Sequence, residues 1–295
     1  NQMLGQLKTV NYNADASEGT TYKTNGGQSE ISAAIGFLSE IPLIKYSNEK
    51  LFLLNPKILT RYSPGKIRNI GSDNGYRLTY DRIFELNKSE TLDIIDPGFS
   101  TTIGFNYSVN NMDKDKNITN NIFSFDLGQV FYDTNNSHLP SKTSLNKKNS
   151  DLVGQSTLNF NENNNLTFNF NLDENYNDVN YSDIGLNLGA DKVKFNISYL
   201  EENNHIGSNN FITSSLNYNF NEKSNISLSA KRNYETDSAE FYNLSYEYIN
   251  DCLKAGLIFR REFYSDRDLS QEDSIFFRIT LTPFGAALDT PNFRR

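Results

Sequence analysis

From Asn165 to Leu172 the chain alternates without a break. Leu166, Phe168, Phe170 and Leu172 fall on one side, and Asn165, Thr167, Asn169 and Asn171 on the other. Successive side chains of a strand point to opposite faces, so this pattern specifies a strand with one apolar and one polar face. The device recurs along the second half. Val193, Phe195, Ile197 and Tyr199 alternate with Lys194, Asn196 and Ser198, and Leu216, Tyr218 and Phe220 with Ser215, Asn217 and Asn219. Tyr242, Leu244, Tyr246 and Tyr248 alternate with Asn243, Ser245 and Glu247; further runs begin at Ile226 and Leu253, and Ile275, Phe277, Ile279 and Leu281 close the series. Helical periodicity is nearly absent.

Turn clusters separate the runs: Asn161-Glu162-Asn163-Asn164, Ala190-Asp191, Asn221-Glu222-Lys223-Ser224 and Thr236-Asp237-Ser238. Each can supply the positive φ of a tight hairpin. In the first half, strands are expected near 28–39, 50–62, 97–110 and 121–133, with a further one in 2–12. The segment 64–96 reads as a long connection bounded by Pro64-Gly65 and Asp96-Pro97-Gly98, and 134–150 as a long polar loop. The repeat of about 10 strand residues and a short turn describes an antiparallel meander of about 13 or 14 strands.

Alternation alone fits a soluble sandwich as well as a membrane barrel. Three features favour the barrel: strand follows strand with almost no helix, the runs exceed the usual length of about 5–6 residues, and tyrosines sit near strand ends. These are Tyr62, Tyr199, Tyr234, Tyr248 and Tyr264, where an interfacial girdle would lie. The expected fold is all-β, an antiparallel transmembrane outer-membrane β-barrel. Its lumen would be lined by Asn, Ser and Thr, which can face water or a polar plug without burying charge. Residues 1–285 are read as the C-terminal portion of such a barrel and 286–295 as a tail. The chain opens at Asn1-Gln2-Met3 with no signal-like segment, which reads as a mature or internal stretch.

A net charge of −8 offers no basic stripe for nucleic acid. One cysteine, Cys252, allows no internal disulfide, and with 2 histidines a zinc site is not expected. Asp81, Glu85, Asp93 and Asp96 lack EF-hand spacing and have no neighbouring histidine, so they read as a solvated loop. No catalytic residue and no cofactor is expected.

Two regions resemble one family. The first runs from Tyr62-Ser63-Pro64 through Ser72-Asp73-Asn74 and Tyr80-Asp81-Arg82-Ile83-Phe84-Glu85-Leu86-Asn87-Lys88 to Thr102-Ile103-Gly104-Phe105-Asn106-Tyr107. The second contains Asn250-Asp251-Cys252, Phe259-Arg260-Arg261-Glu262-Phe263-Tyr264 and the final Ile275-Phe276-Phe277-Arg278-Ile279-Thr280-Leu281-Thr282-Pro283-Phe284-Gly285. In order and spacing these resemble the LptD family of outer-membrane lipopolysaccharide-assembly proteins. The departure is at Cys252: the family often has adjacent cysteines, and here Leu253 follows.

The resemblance implies a translocon in the Gram-negative outer membrane. Lipopolysaccharide would arrive on a periplasmic bridge of jellyroll proteins and leave through a lateral seam between the first and last strands. A plug lipoprotein would fill the lumen, and outer-membrane lipids would surround the barrel. Cys252 would pair with a cysteine of an N-terminal periplasmic domain, or remain a free thiol. The strand carrying Ile275, Phe277, Ile279 and Leu281, ended by Pro283, would be one lip of the seam, or a terminal strand with an ordinary proline stop. Arg260 and Arg278 would meet lipopolysaccharide phosphates, or make local ion pairs. The alternative functions are a general porin and a soluble all-β adhesin.

Overall fold

A computed structural model describes residues 1–14, 26–65, 67, 76–88, 94–203, 209–235, 238–250, 253–262 and 272–281. Among them are β1 (Gln2–Ala14), β2 (Gly26–Glu40), β3 (Leu43–Ser47), β4 (Lys50–Ser63), β5 (Gly98–Met112), β6 (Ile118–Tyr132), β7 (Leu152–Asn161) and β8 (Asn164–Leu172). They continue with β9 (Val179–Ala190), β10 (Val193–Glu202), β11 (Asn209–Asn221), β12 (Ser224–Asn233), β13 (Ser238–Ile249), β14 (Leu253–Glu262) and β15 (Glu272–Leu281). A single helical turn, α1 (Tyr80–Ile83), lies in the connection between β4 and β5.

Each strand pairs with the next, so the expected meander forms as one antiparallel sheet order. The exception is β3, a five-residue strand the alternation did not mark. It folds back on the first residues of β4, while β2 pairs with the later part of β4. The chain divides into two compact units, Asn1–Ile184 with Glu201–Ser208, and Gly185–Leu200 with Asn209–Arg295.

The short turns are built differently from expectation. Among the described residues, positive φ at non-glycine positions occurs at Asn48, Glu49, Lys116, Ser144 and Tyr176, and not in the clusters at 161–164, 190–191 or 221–224. At 161–164 and 221–224 an asparagine side chain closes the turn instead. Asn161 Oδ1 accepts from the Asn163 backbone N–H at 3.0 Å, and Asn221 Oδ1 from that of Lys223 at 2.9 Å. A register shift just before each turn, at Asn159/Asn161 and Asn219/Asn221, absorbs the mismatch in twist. Of the cluster at 236–238, Thr236 and Asp237 lie outside the described residues.

The two registers of β4 and β5 decide between water and membrane. Ile58 and Tyr62 are 46% and 50% exposed, whereas Leu59 and Arg61, on the opposite face, are 0% and 1% exposed. On β5, Phe99 and Ile103 are exposed while Ser100 and Thr102 are buried. A soluble sandwich would bury the apolar register. Here that register is left outside, as hydrocarbon-facing strands require.

What covers the polar register of the first unit is its own chain. The connection 64–97 contributes Leu78, Tyr80 and Ile83, and the connection 133–151 contributes Leu139 and Leu145; they pack together over Val130 of β6. Tyr80 and Ile83 are three apart in α1 and so share a face. The loop expected to be polar therefore carries core residues. Its polar groups turn inward as ties: Thr143 Oγ1 donates to Pro140 O at 2.8 Å, and Ser144 Oγ accepts from the Asp151 N–H at 2.9 Å. Each fully buried aliphatic side chain contributes about 1.5–3 kcal/mol, enough for the two connections to form a fixed inlay.

The sheet makes room for that inlay with a cross-strand glycine pair, Gly104 on β5 and Gly128 on β6. A Cβ at Gly128 would stand 2.6 Å from Ile83 Cδ1, and one at Gly104 would stand 2.9 Å from Phe84 Cζ. Gly128→Val is expected to lift α1 off the sheet and cost about 1–3 kcal/mol or more. The midpoint of urea unfolding in vesicles, followed as loss of the folded band on an unheated gel, measures it.

Candidate functional site

At the centre of the inlay is a buried ionic cluster. Arg61 points from the polar register of β4, and Asp96 ends the 64–97 connection; both side chains are 0% exposed. Arg61 Nη1 donates to Asp96 Oδ2 at 2.6 Å, and Nη2 donates to the Asp96 carbonyl. The Tyr132 hydroxyl, at the end of β6, donates to the same Oδ2 at 2.7 Å, and the Lys88 backbone N–H donates to Oδ1 at 3.3 Å. One carboxylate thus ties two strands to two points of the connection. The reading of Asp96 as part of a solvated loop is corrected by this burial. Asp81 and Glu85 are exposed as expected, and Asp93 lies outside the described residues.

Lys88 is wholly buried beside the pair, and its Nζ has no hydrogen-bond partner among the described residues. Burial pushes its ammonium down to about 7, with Arg61 acting in the same direction and Asp96 against it. For Asp96, burial alone would raise the carboxyl; Arg61 and Lys88 outweigh it and hold the group below its ordinary value. Once Lys88 loses its proton, above about 7, Arg61 and Asp96 balance, which is how a low-dielectric site tolerates them.

Further ties fix the connection along its length. Thr102 Oγ1 donates to Ile83 O at 2.8 Å, and Asn171 Nδ2 on β8 donates to Leu78 O at 3.0 Å. Arg77 forms a two-point pair with Glu202 of β10, at 2.9 and 3.2 Å, and its guanidinium lies 3.6 Å from the Tyr181 ring centroid. Polar strand residues thus serve as anchors for an inlay. The sequence expectation of a lumen facing water or a polar plug did not include this self-covering.

The residues singled out from the sequence lie elsewhere. Ile275, Phe277, Ile279 and Leu281 are on the exposed register of β15, opposite Phe259, Leu257, Ala255 and Leu253. The β14–β15 ladder runs without a register shift from Leu253↔Leu281 to Glu262↔Glu272. Arg260 Nε sits 2.5 Å from Glu262 Oε1 and lies near the Phe241 ring. Arg278 faces Gly256, four residues along β14 from Arg260. That separation is about 13 Å along the strands. Cys252 and Pro283 lie outside the described residues, as does the 286–295 tail.

Comparison with known proteins now decides the family. Residues 6–223 match the family described as LptD, LPS transport system D. The chain belongs to the LptD family. As an LptD-family chain it is placed in the Gram-negative outer membrane and has a transport role, with LPS as the substrate. The match contains β2 to β11 with the whole inlay and ends before Cys252 and β15. No curated protein matches the chain. Among solved structures, a triple mutant of the Rhodopseudomonas blastica porin aligns at TM-score 0.34 and 10% identity, over 90% of this chain and 91% of that one. KdgM porin aligns at TM-score 0.21 and 8% identity, over 88% and 90%. At these scores the porins add nothing to the family assignment.

Proposed function

We infer that this LptD-family chain passes LPS into the outer leaflet of the outer membrane through a lateral seam of which β15 is one lip. The observation that carries the reading is the family match over residues 6–223. Two features support it. Among the described strands β15 comes last in the pairing order and is held to β14 by an unbroken ladder, so in this reading it is its other edge that parts. The inlay covers the polar register of β4–β7, which favours a guided passage over the open water channel of a porin.

In this reading a plug lipoprotein occupies the remaining hollow, and a periplasmic jellyroll bridge delivers LPS to a domain preceding the strands. Cys252 bonds to a cysteine of that domain in the oxidising periplasm. Arg260 and Arg278 contact LPS phosphates in succession, Arg260 by exchanging its Glu262 partner.

The test places a photoreactive benzoylphenylalanine at Arg278, on the polar register of β15, and as a control at Ser108, on the polar register of β5. In cells producing the full-length protein, LPS adducts are expected at Arg278 and not at Ser108. Equal labelling, or none at Arg278 in cells still exporting LPS, would sink the seam reading. The purified protein is also expected to migrate faster unheated than boiled, as folded outer-membrane barrels do; heat-independent migration would return the soluble alternative.

A further inference from the structure

The bilayer-facing register of β11–β14 carries a row in which Ser214, Ala230, Tyr242, Arg261 and Asp273 pair in turn across adjacent strands. The neighbouring row is bulky throughout: Leu216, Leu228, Leu244, Phe259 and Ile275. Ser214 and Ala230 are therefore two small side chains in a face of large ones. Their shortness leaves a groove of about 310 Å³, walled by Phe195, Leu216, Leu228, Leu244, Phe259 and Tyr242. Its lining is almost wholly apolar, and on this register it opens toward lipid.

Cations stand at one end of the groove. Arg232 follows Ala230 on the same face of β12 and pairs opposite Ile212; Arg261 lies beside Tyr242 with its guanidinium 5.9 Å from the Phe259 ring centroid. Each is the penultimate residue of its strand, at the end toward the connections 234–237 and 263–271. Alternate connections of a meander lie at opposite ends, and the other end of this unit has the short turns 191–192 and 222–223. Longer connections mark the outer side of outer-membrane barrels, so both arginines stand at headgroup level of the outer leaflet. Arg261 uses Nε and Nη2 on Asp273, at 2.7 and 2.8 Å, which among the described residues leaves its Nη1 hydrogens for a second acceptor.

We propose that this groove binds one phosphorylated lipid of the outer leaflet, with an acyl chain lying over Ser214 and Ala230 and the phosphate held by Arg232 and Arg261. The occupant follows from the chemistry on the two sides of Tyr242. An apolar trough between aromatic and leucine walls suits a single hydrocarbon chain, and two guanidiniums at its headgroup end suit an anion of phosphate geometry. The site lies on the outside of the wall and is separate from any passage through the protein.

Native mass spectrometry of the full-length protein in neutral detergent tests this. The probes are phosphatidylglycerol and, as a phosphate-free control, galactosyl diacylglycerol with the same acyl chains. One phosphatidylglycerol per chain is expected to survive detergent stripping about tenfold better than the control lipid, the scale of one charge-assisted contact. Ala230→Phe fills the trough and is expected to reduce both lipids to background, while Ala255→Phe, on the same register outside the groove, leaves them unchanged. Arg232→Gln with Arg261→Gln is expected to abolish the preference for phosphate and leave the control lipid as in the parent. Should Ala230→Phe lose the heat-modifiable migration of the folded protein, Ser214→Leu takes its place. Unchanged phosphatidylglycerol retention in the filled variant, or a persisting phosphate preference in the double glutamine variant, overturns the proposal.

Discussion

Asp96→Ala is expected to lower the unfolding free energy by about 3–5 kcal/mol and to release the 64–97 connection from the polar face of the sheet. The size follows from what the carboxylate does. It is the ion-pair partner of Arg61 Nη1, the acceptor of the Tyr132 hydroxyl and the acceptor of the Lys88 N–H, all in a fully buried place. Alanine strands a charged guanidinium and two donors without water to receive them. Limited trypsin digestion of the folded protein in vesicles is the direct measurement, with new cleavage expected after Arg77, Arg82 or Lys88. The informative companion is Arg61→Met with Asp96→Leu, which removes both charges at similar volume. It is expected to recover most of the lost stability, because desolvation offsets much of the attraction between buried ions. If single and double variants are equally unstable, the carboxylate acts by shape and not by charge.

The second large effect concerns Lys88 and carries a pH signature. Its ordinary value is 10.5 and burial brings it to about 7. Between those two values the unfolded chain holds one proton more than the folded chain, so stability rises with pH, by about 1.4 kcal/mol per unit. The cost of the buried ammonium is fully present below the folded value and is relieved as pH climbs through the window. Lys88→Met lacks this dependence. It is expected to be more stable than the parent at pH 7 and below, with the two curves converging above 10.5. Taking the difference between parent and variant removes the contribution of every other titrating group. A variant less stable than the parent at pH 6 would show that the ammonium is solvated or paired, contrary to its placement.

The sheet was legible because its signal is local. Period-two alternation set the direction of each side chain, and β8 and β10 to β15 fall where the runs of apolar residues place them. β3 was missed because Leu43-Ile44-Lys45-Tyr46 lacks alternation and all its residues are exposed. The turn clusters were located correctly, yet their mechanism was not, since asparagine offers both a left-handed backbone and a side-chain acceptor, and here the acceptor wins. The inlay was the largest omission. Asp96 in a stretch with Asp81, Glu85 and Asp93 looks like any acidic loop, and its partner Arg61 is 35 residues away. A signal was nonetheless present: Arg61 stands between Leu59 and Ser63 on one register of β4, and a leucine on a water-lining face asks what covers it. Cys252 and Pro283 drew their readings from family resemblance alone, and no physical pattern in the sequence names their partners.

The span between Arg77 and Glu202, 125 residues apart, also orders events in time. The connection that carries Arg77 is fastened early in the chain by Arg61 and only much later by Asn171 and Glu202. Loop closure over such distances is slow. While the strands from β5 to β10 are being laid down, the inlay has its hydrophobic side chains but not its last fasteners. Assembly of the first unit is therefore a process completed from its far end, and an arrest before β10 would leave a sheet whose interior is furnished but not yet locked.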